Sequence, residues 1–159
     1  GKEVADLRAA ITKRKRQRRA AEDWILPNAW VGDATPTRRA EAADTKRLAG
    51  LGVSAGTATG TARIVLNTEA AFARDIEPGE ILVAPFTDTP WTPLFIPAGA
   101  VVVETGGMLS HAATVAREFG SPCVVLVADA TRIIRDGDTI EVDGGAGTVR
   151  IVRRARTSR

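Results

Sequence analysis

Reactive side chains are scarce in this sequence of 159 residues. It contains one histidine, one cysteine and no tyrosine. A single cysteine excludes an internal disulfide framework and suits a reducing compartment, so we expect a cytoplasmic protein. One histidine and one cysteine are also too few for a zinc site of the usual kind, and we expect no metal bound by this chain.

Long apolar runs are missing as well. No stretch approaches the ~18 residues needed to span a bilayer, and the charged N-terminus lacks the apolar core of a secretory signal. These absences predict a chain without membrane association. The hydrophobic content of 44% is typical of a globular protein, and the length allows one core with an appendage.

Charge is unevenly distributed, although the net value is only +3. Residues 1–49 contain 12 Lys/Arg and 7 Asp/Glu, residues 50–152 contain 6 and 12, and residues 153–159 add four arginines. The three segments predict a helical extension with a linker, a folded domain and a basic tail. The run "KRKRQRR" (13–19) has no interleaved aromatic residue, which favours an exposed helix face, or one docking on an acidic domain outside this chain, over nucleic-acid binding.

Local patterns predict the secondary structure of each segment. In the extension we expect a helix over 2–24, an irregular connector over 26–37 and a short polar helix around 38–47. In the domain, one helix is bounded by the N-cap Ser110 and the stop residue Gly120. A Gly/Thr-rich segment ending in a strand, three apolar strands and a terminal hairpin are predicted at 52–65, 79–85, 99–104, 122–127 and 136–152. This mixture predicts a compact α/β domain.

His111 opens the predicted helix, directly after the loop "GGMLS" (106–110). A helix N-terminus carries unpaired N–H groups and partial positive charge, which lower the pKa of a histidine there and attract anions such as phosphate. Gly106 and Gly107 let the loop come close without side-chain obstruction. A neutral imidazole so placed is suited to accept a phosphoryl group as nucleophile; the alternative is a polar residue that merely begins a helix.

Two segments resemble the phosphohistidine domain of the phosphoenolpyruvate-utilising enzymes. "GGMLSHAATVAREFGSPCVV" (106–125) is similar to the phosphohistidine motif of pyruvate phosphate dikinase, phosphoenolpyruvate synthase, Enzyme I of the sugar phosphotransferase system and rifampin phosphotransferase. "TDTPWTPLF" (87–95) looks like the family's Thr-Asp-Pro-x-Trp element. The resemblance covers 50–152 and implies a swivelling β/β/α phosphohistidine domain, here with an N-terminal basic helical extension.

The resemblance also implies roles for particular residues. His111 would be the phosphocarrier, and Thr87 would hydrogen-bond and orient its ring. Gly106, Gly107 and Ser110 would form the loop and cap around the phosphate.

Four other features carry structural expectations. Arg117 lies six residues beyond the histidine, on another side of the helix, and we expect it to form an ion pair. Cys123 and Trp91 are expected to pack in the core. Hairpin turn chemistry explains Asp136, Asp138 and Asp143 better than a cation site does.

In this family a nucleotide- or phosphoenolpyruvate-binding domain phosphorylates the histidine, and the swivelling domain delivers the group to a second active site. We therefore predict a phosphocarrier domain of a multidomain phosphotransferase that is inactive by itself. No lysine-bearing phosphate loop occurs here. ATP and magnesium would be held by an ATP-binding domain outside this chain, the acceptor substrate by another domain, and no cofactor by this chain. A start at Gly1 rather than methionine also favours one domain of a multidomain protein.

Departures from the family pattern indicate which subfamily the sequence resembles most. Thr105 stands where dikinases and synthases usually have arginine, and Leu109 replaces a threonine that receives regulatory phosphorylation in dikinases. If Arg159 is the C-terminus of the whole protein, the histidine domain also comes last, as in rifampin phosphotransferase. These features favour a rifampin phosphotransferase-like or synthase-like protein. The alternatives are the same domain in a true synthase or dikinase, and a non-catalytic swivelling or scaffold module whose histidine is never phosphorylated.

Overall fold

The computed structural model describes residues 2–21, 24–25, 37–38, 46–73 and 75–156. The chain divides into two compact units, Gly1–Ala43 and Asp44–Arg159. The first unit holds helix α1 (Lys2–Ala21) and an antiparallel pair of short strands, β1 (Trp24–Ile25) and β2 (Thr37–Arg38). Most of the predicted connector, at 26–36, lies outside the described residues.

Helix α1 is exposed along the part whose side chains are described, residues 7–21. The basic run at 13–19 is exposed, which fits both an exposed helix face and a face that docks on an acidic domain outside this chain. The helix ends at Ala21, earlier than predicted. Across the described ranges, no helix is both long and apolar enough to cross a membrane.

The second unit is built on a single eight-stranded sheet. Its strands are β3 (Arg47–Ala49), β4 (Leu51–Ser54), β5 (Thr57–Ile64), β6 (Ile81–Ala84), β7 (Ala100–Val103), β8 (Cys123–Val125), β9 (Thr139–Asp143) and β10 (Thr148–Arg153). They lie in the order β3-β10-β9-β5-β6-β7-β8-β4. Strands β5 to β8 are parallel, and every other neighbouring pair is antiparallel. Because the two edge strands are separated in the chain only by Gly50, the sheet curls back on itself.

Three of the parallel strands, β6, β7 and β8, are buried on both faces. In β6, Leu82 and Ala84 join a cluster that includes residues of the covering helices, whereas Ile81 and Val83 join a second cluster shared with strands β9 and β10. Continuous apolar runs such as "ILVA" are what a parallel strand covered on both sides requires. The helical elements are α2 (Thr68–Ala73), a 3₁₀ turn (Thr89–Trp91), α3 (Thr92–Phe95), α4 (His111–Phe119) and α5 (Ala130–Ile133).

The predicted elements of the domain are present, with one difference there and another in the extension. The Gly/Thr-rich start of 52–65 is a strand of its own, β4, because it pairs with β8 at the far edge of the sheet. The polar helix predicted at 38–47 is wrong at both ends, since Arg38 and Arg47 lie in strands and 39–45 fall outside the described residues. Both errors arise because these segments form strands by pairing with strands elsewhere in the chain, and a local sequence pattern does not record such pairing.

Candidate phosphohistidine site

His111 is held at the start of α4 by local capping chemistry. The Ser110 hydroxyl accepts a hydrogen bond from the Ala113 amide at 3.4 Å and donates one to the Gly107 carbonyl at 2.8 Å. At the other end Gly120 adopts the left-handed conformation, with φ 67°. The predicted cap and stop are both present. The helix follows parallel strand β7, so the histidine lies beyond the carboxyl ends of the parallel strands, where α/β proteins place their sites.

The two glycines of the loop have different requirements. Gly106 has φ +140°, and a Cβ there would lie 3.0 Å from the Ser110 Oγ and 3.4 Å from the Val125 Cβ. A Cβ at Gly107 would meet nothing within 4 Å. Of these two positions, the fold therefore demands glycine only at 106. The expected role of Gly107 in the approach of a phosphoryl group stays a prediction.

Both ring nitrogens of His111 face a threonine hydroxyl. The Thr87 Oγ1 lies 3.1 Å from Nδ1, which is the contact expected from the resemblance. The Thr92 Oγ1 lies 3.3 Å from Nε2, and the ring packs edge-on against Phe95 with centroids 5.8 Å apart. Sequence reasoning missed Thr92, although it falls in the same segment, 87–95. The 3₁₀ turn and α3 bend this segment so that residues five apart reach opposite sides of one ring.

Burial favours the neutral form of the His111 ring. Burial lowers the pKa of His111 below its usual 6.5, and the nearby Asp88 carboxylate opposes that shift. The direction agrees with the expectation for a helix start, but the main cause is burial. An imidazole that is neutral at pH 7 has a lone pair available for attack.

Replacing Asp88 with asparagine should lower the pKa of His111 further, because the variant removes the carboxylate that stabilises the charged ring. The pKa can be read from an NMR titration of the only histidine. Glu118→Gln, which removes an exposed carboxylate from α4, is the matched control and should leave the titration unchanged. A pKa that is unchanged or raised in Asp88→Asn would contradict this electrostatic account.

Arg117 connects the loop that precedes His111 (residues 106–110) to the sheet through two hydrogen bonds. Its guanidinium donates hydrogen bonds to the Met108 carbonyl at 2.8 Å and to the Val53 carbonyl of β4 at 3.4 Å. The predicted ion pair is wrong: among the described residues, the partners of Arg117 are carbonyl oxygens. The Met108 carbonyl lies in a loop and the Val53 carbonyl at the irregular position of edge strand β4, so both need donors, and a guanidinium supplies several.

The predictions of packing for Trp91 and Cys123 are confirmed. Trp91 is fully buried, with its ring centroid 5.8 Å from that of Phe86. Cys123 is buried in β8, and burial raises its pKa to about 12, which leaves the thiol unreactive.

The aspartates of the terminal hairpin serve its structure. Asp143 accepts hydrogen bonds from the amides of Gly145 and Ala146 and so closes the turn. Asp138 is fully buried and pairs with Arg154 at 2.8 Å. No group of three or more metal-ligating side chains occurs in the described part of the chain.

Comparison with known proteins places this site in a family. Residues 76–147 match the mobile domain of the PEP-utilising enzymes. An uncharacterised protein of Mycobacterium tuberculosis is 40% identical over 153 residues, covering 95% of this chain and 18% of that protein. Rifampicin phosphotransferase of Streptomyces is 50% identical over 105 residues, which cover 66% of this chain and 12% of that enzyme. The prodigiosin synthesizing transferase PigC of Serratia marcescens is 44% identical over 132 residues, which cover 82% of this chain and 15% of that protein. The chain thus spans less than a fifth of the length of these relatives.

The fold also has solved counterparts. Aconitase X of Thermococcus kodakaraensis superposes with a TM-score of 0.51 at 21% identity, over 67% of this chain and 98% of that one. At this identity the likeness concerns the fold alone, a mixed α/β domain on an eight-stranded sheet. The family match includes the loop at 106–110 and His111, and it agrees with the relatives. We conclude that this chain belongs to the PEP-utilising enzyme family as a mobile domain.

Proposed function

We propose that this chain is the phosphocarrier domain of a multidomain phosphotransferase and that His111 accepts the phosphoryl group. The observation that carries the proposal is the placement of the only histidine, at the N-terminus of α4 with Thr87 on Nδ1. The threonine fixes the plane of the ring, and burial keeps the ring neutral. A fixed, neutral imidazole is an effective nucleophile toward phosphorus.

The surroundings of His111 suit a transferred phosphoryl group. The unpaired amides at the start of α4 can donate to its oxygens, and the partial positive charge of a helix N-terminus stabilises an anion by about 0.3–1 kcal/mol at an exposed site. The ring is only partly buried, and Leu109 beside it is 91% exposed. This leaves one side of the site open to a domain that delivers or receives the group.

The donor and the acceptor belong to other domains in this proposal. The chain contains no lysine-bearing phosphate loop, so ATP and magnesium would bind an ATP-binding domain outside it. The relatives are long enough to hold both partner domains, because this chain spans only 12–18% of them. Identity of 46–50% to rifampicin phosphotransferases supports the rifampin phosphotransferase-like branch, with a large organic molecule as acceptor. Identity of 44% to the prodigiosin synthesizing transferase PigC makes a different acceptor the second candidate.

Phosphoryl transfer in trans tests the proposal. The chain is incubated with labelled ATP and the ATP-binding domain of Streptomyces rifampicin phosphotransferase, freed from its own histidine domain. We expect label on this chain that survives base and is lost in acid, as a nitrogen–phosphorus bond requires. The histidine domain of the Streptomyces enzyme is the positive control. Labelling of that control without labelling of this chain would favour the scaffold alternative.

The isolated chain should not turn over ATP. It offers a phosphoryl acceptor, but its sequence contains no lysine-bearing phosphate loop, so a coupled ADP, AMP or phosphate assay should give the buffer rate. His111→Ala is the matched control and should give the same rate. ATP turnover by the wild-type chain above both values would contradict the assignment of ATP binding to another domain.

A further inference from the structure

Thr92 makes two contacts with a hydroxyl that has one proton. Its Oγ1 lies 2.8 Å from the Thr89 carbonyl oxygen and 3.3 Å from Nε2 of His111. A carbonyl can only accept, so the shorter contact uses the Thr92 proton. Toward the ring, the Thr92 oxygen is therefore left with its lone pairs.

We propose that Thr92 is a positioning residue that sets the tautomer of His111, by holding the ring proton on Nε2. An oxygen lone pair facing Nε2 is matched by an N–H there. In the neutral ring Nδ1 then has no proton and accepts a hydrogen bond from the Thr87 hydroxyl, 3.1 Å away. All three contacts are satisfied only in this arrangement.

The opposite tautomer loses one of these contacts. With the proton on Nδ1, the Nε2 lone pair would face the lone pairs of the Thr92 oxygen. Relief would require the Thr92 hydroxyl to turn from the Thr89 carbonyl toward the ring, which breaks the 2.8 Å bond. One net hydrogen bond corresponds to about 1 kcal/mol, or about fivefold in a ratio of tautomers.

The tautomer matters for phosphoryl acceptance, and this consequence rests on the proposed function. The nitrogen that attacks phosphorus must present a lone pair, and each nitrogen is covered by a threonine hydroxyl. Attack from Nδ1 requires the Thr87 hydroxyl to move aside. Attack from Nε2 requires that nitrogen to lose its proton and Thr92 to rotate away. Thr92 thereby decides which nitrogen is nucleophilic in the resting ring.

The ¹⁵N spectrum of the histidine ring tests this assignment without any phosphoryl donor. Because the chain has one histidine, labelled histidine gives one pair of ring signals. Well above the pKa we expect protonated Nε2 and unprotonated Nδ1 in the wild type. In Thr92→Val, which keeps the branched shape, the ratio should move about fivefold toward protonated Nδ1, since Thr87 can accept from it.

Two further variants make the result specific. Thr92→Ser keeps the hydroxyl and should retain the wild-type tautomer. Thr87→Val should also leave the proton on Nε2, because the acceptor there is intact. Protonated Nδ1 in the wild type, or identical ratios in Thr92→Val and Thr92→Ser, would overturn the proposal. Failure of the transfer experiment with the expected tautomer present would instead count against the phosphocarrier function alone.

Discussion

His111→Ala is expected to abolish labelling of this chain, whereas Ser110→Ala is expected to keep a measurable part of it. The reason lies in what each side chain is already bonded to. The Ser110 hydroxyl donates to the Gly107 carbonyl at 2.8 Å and accepts from the Ala113 amide, so its proton and a lone pair hold the loop and cap the helix. His111 is the only imidazole in the chain, and no other ring nitrogen can replace it.

The same pair of variants separates two chemistries as well as two residues. A phosphoserine ester survives acid, whereas phosphorylated imidazole does not, so the lability of the label identifies the acceptor. Ser110→Ala should cost about 1 kcal/mol through loss of the cap, and His111→Ala about 1 kcal/mol or less. Thermal unfolding of both variants shows whether each is folded during the assay. Acid-labile label retained by folded His111→Ala would refute the phosphocarrier assignment.

The helix that carries the histidine was predictable because its ends depend on local chemistry. Ser110 and Gly120 mark the boundaries of α4 through a side-chain cap and a left-handed backbone, and both signals lie within the helix's own sequence. The apolar strands were predictable for a similar reason, since burial on both faces leaves little room for polar residues.

Contacts between distant segments were not predictable in the same way. Helical geometry places Arg117 on a different side of α4 from His111, but its guanidinium reaches the Met108 carbonyl before the helix and the Val53 carbonyl, 64 residues earlier. The contact between Thr92 and the His111 ring depends on the 3₁₀ turn that precedes α3 and on the approach of that segment to α4. No periodic pattern announces elements of only three or four residues, which leaves such partners to the structure.

Gly106→Ala is expected to damage both stability and phosphoryl acceptance, whereas Gly107→Ala should change stability by less than about 0.5 kcal/mol. At Gly106 the backbone has φ +140°, a conformation that costs a residue with a Cβ about 1–3 kcal/mol. The added Cβ would also lie 3.0 Å from the Ser110 Oγ, so it would displace the cap directly before His111. Urea unfolding measures the first effect, and the rate of labelling in trans measures the second.

Gly107→Val separates the needs of the fold from those of the incoming phosphoryl group. A Cβ at this position meets nothing within 4 Å, so the variant should fold with nearly wild-type stability. Its bulk would nevertheless occupy the space in front of the helix N-terminus, and we expect slower labelling than in Gly107→Ala. Equal destabilisation by Gly106→Ala and Gly107→Ala would contradict the backbone argument. Labelling of Gly107→Val at the wild-type rate would instead show that the phosphoryl group reaches His111 from another side.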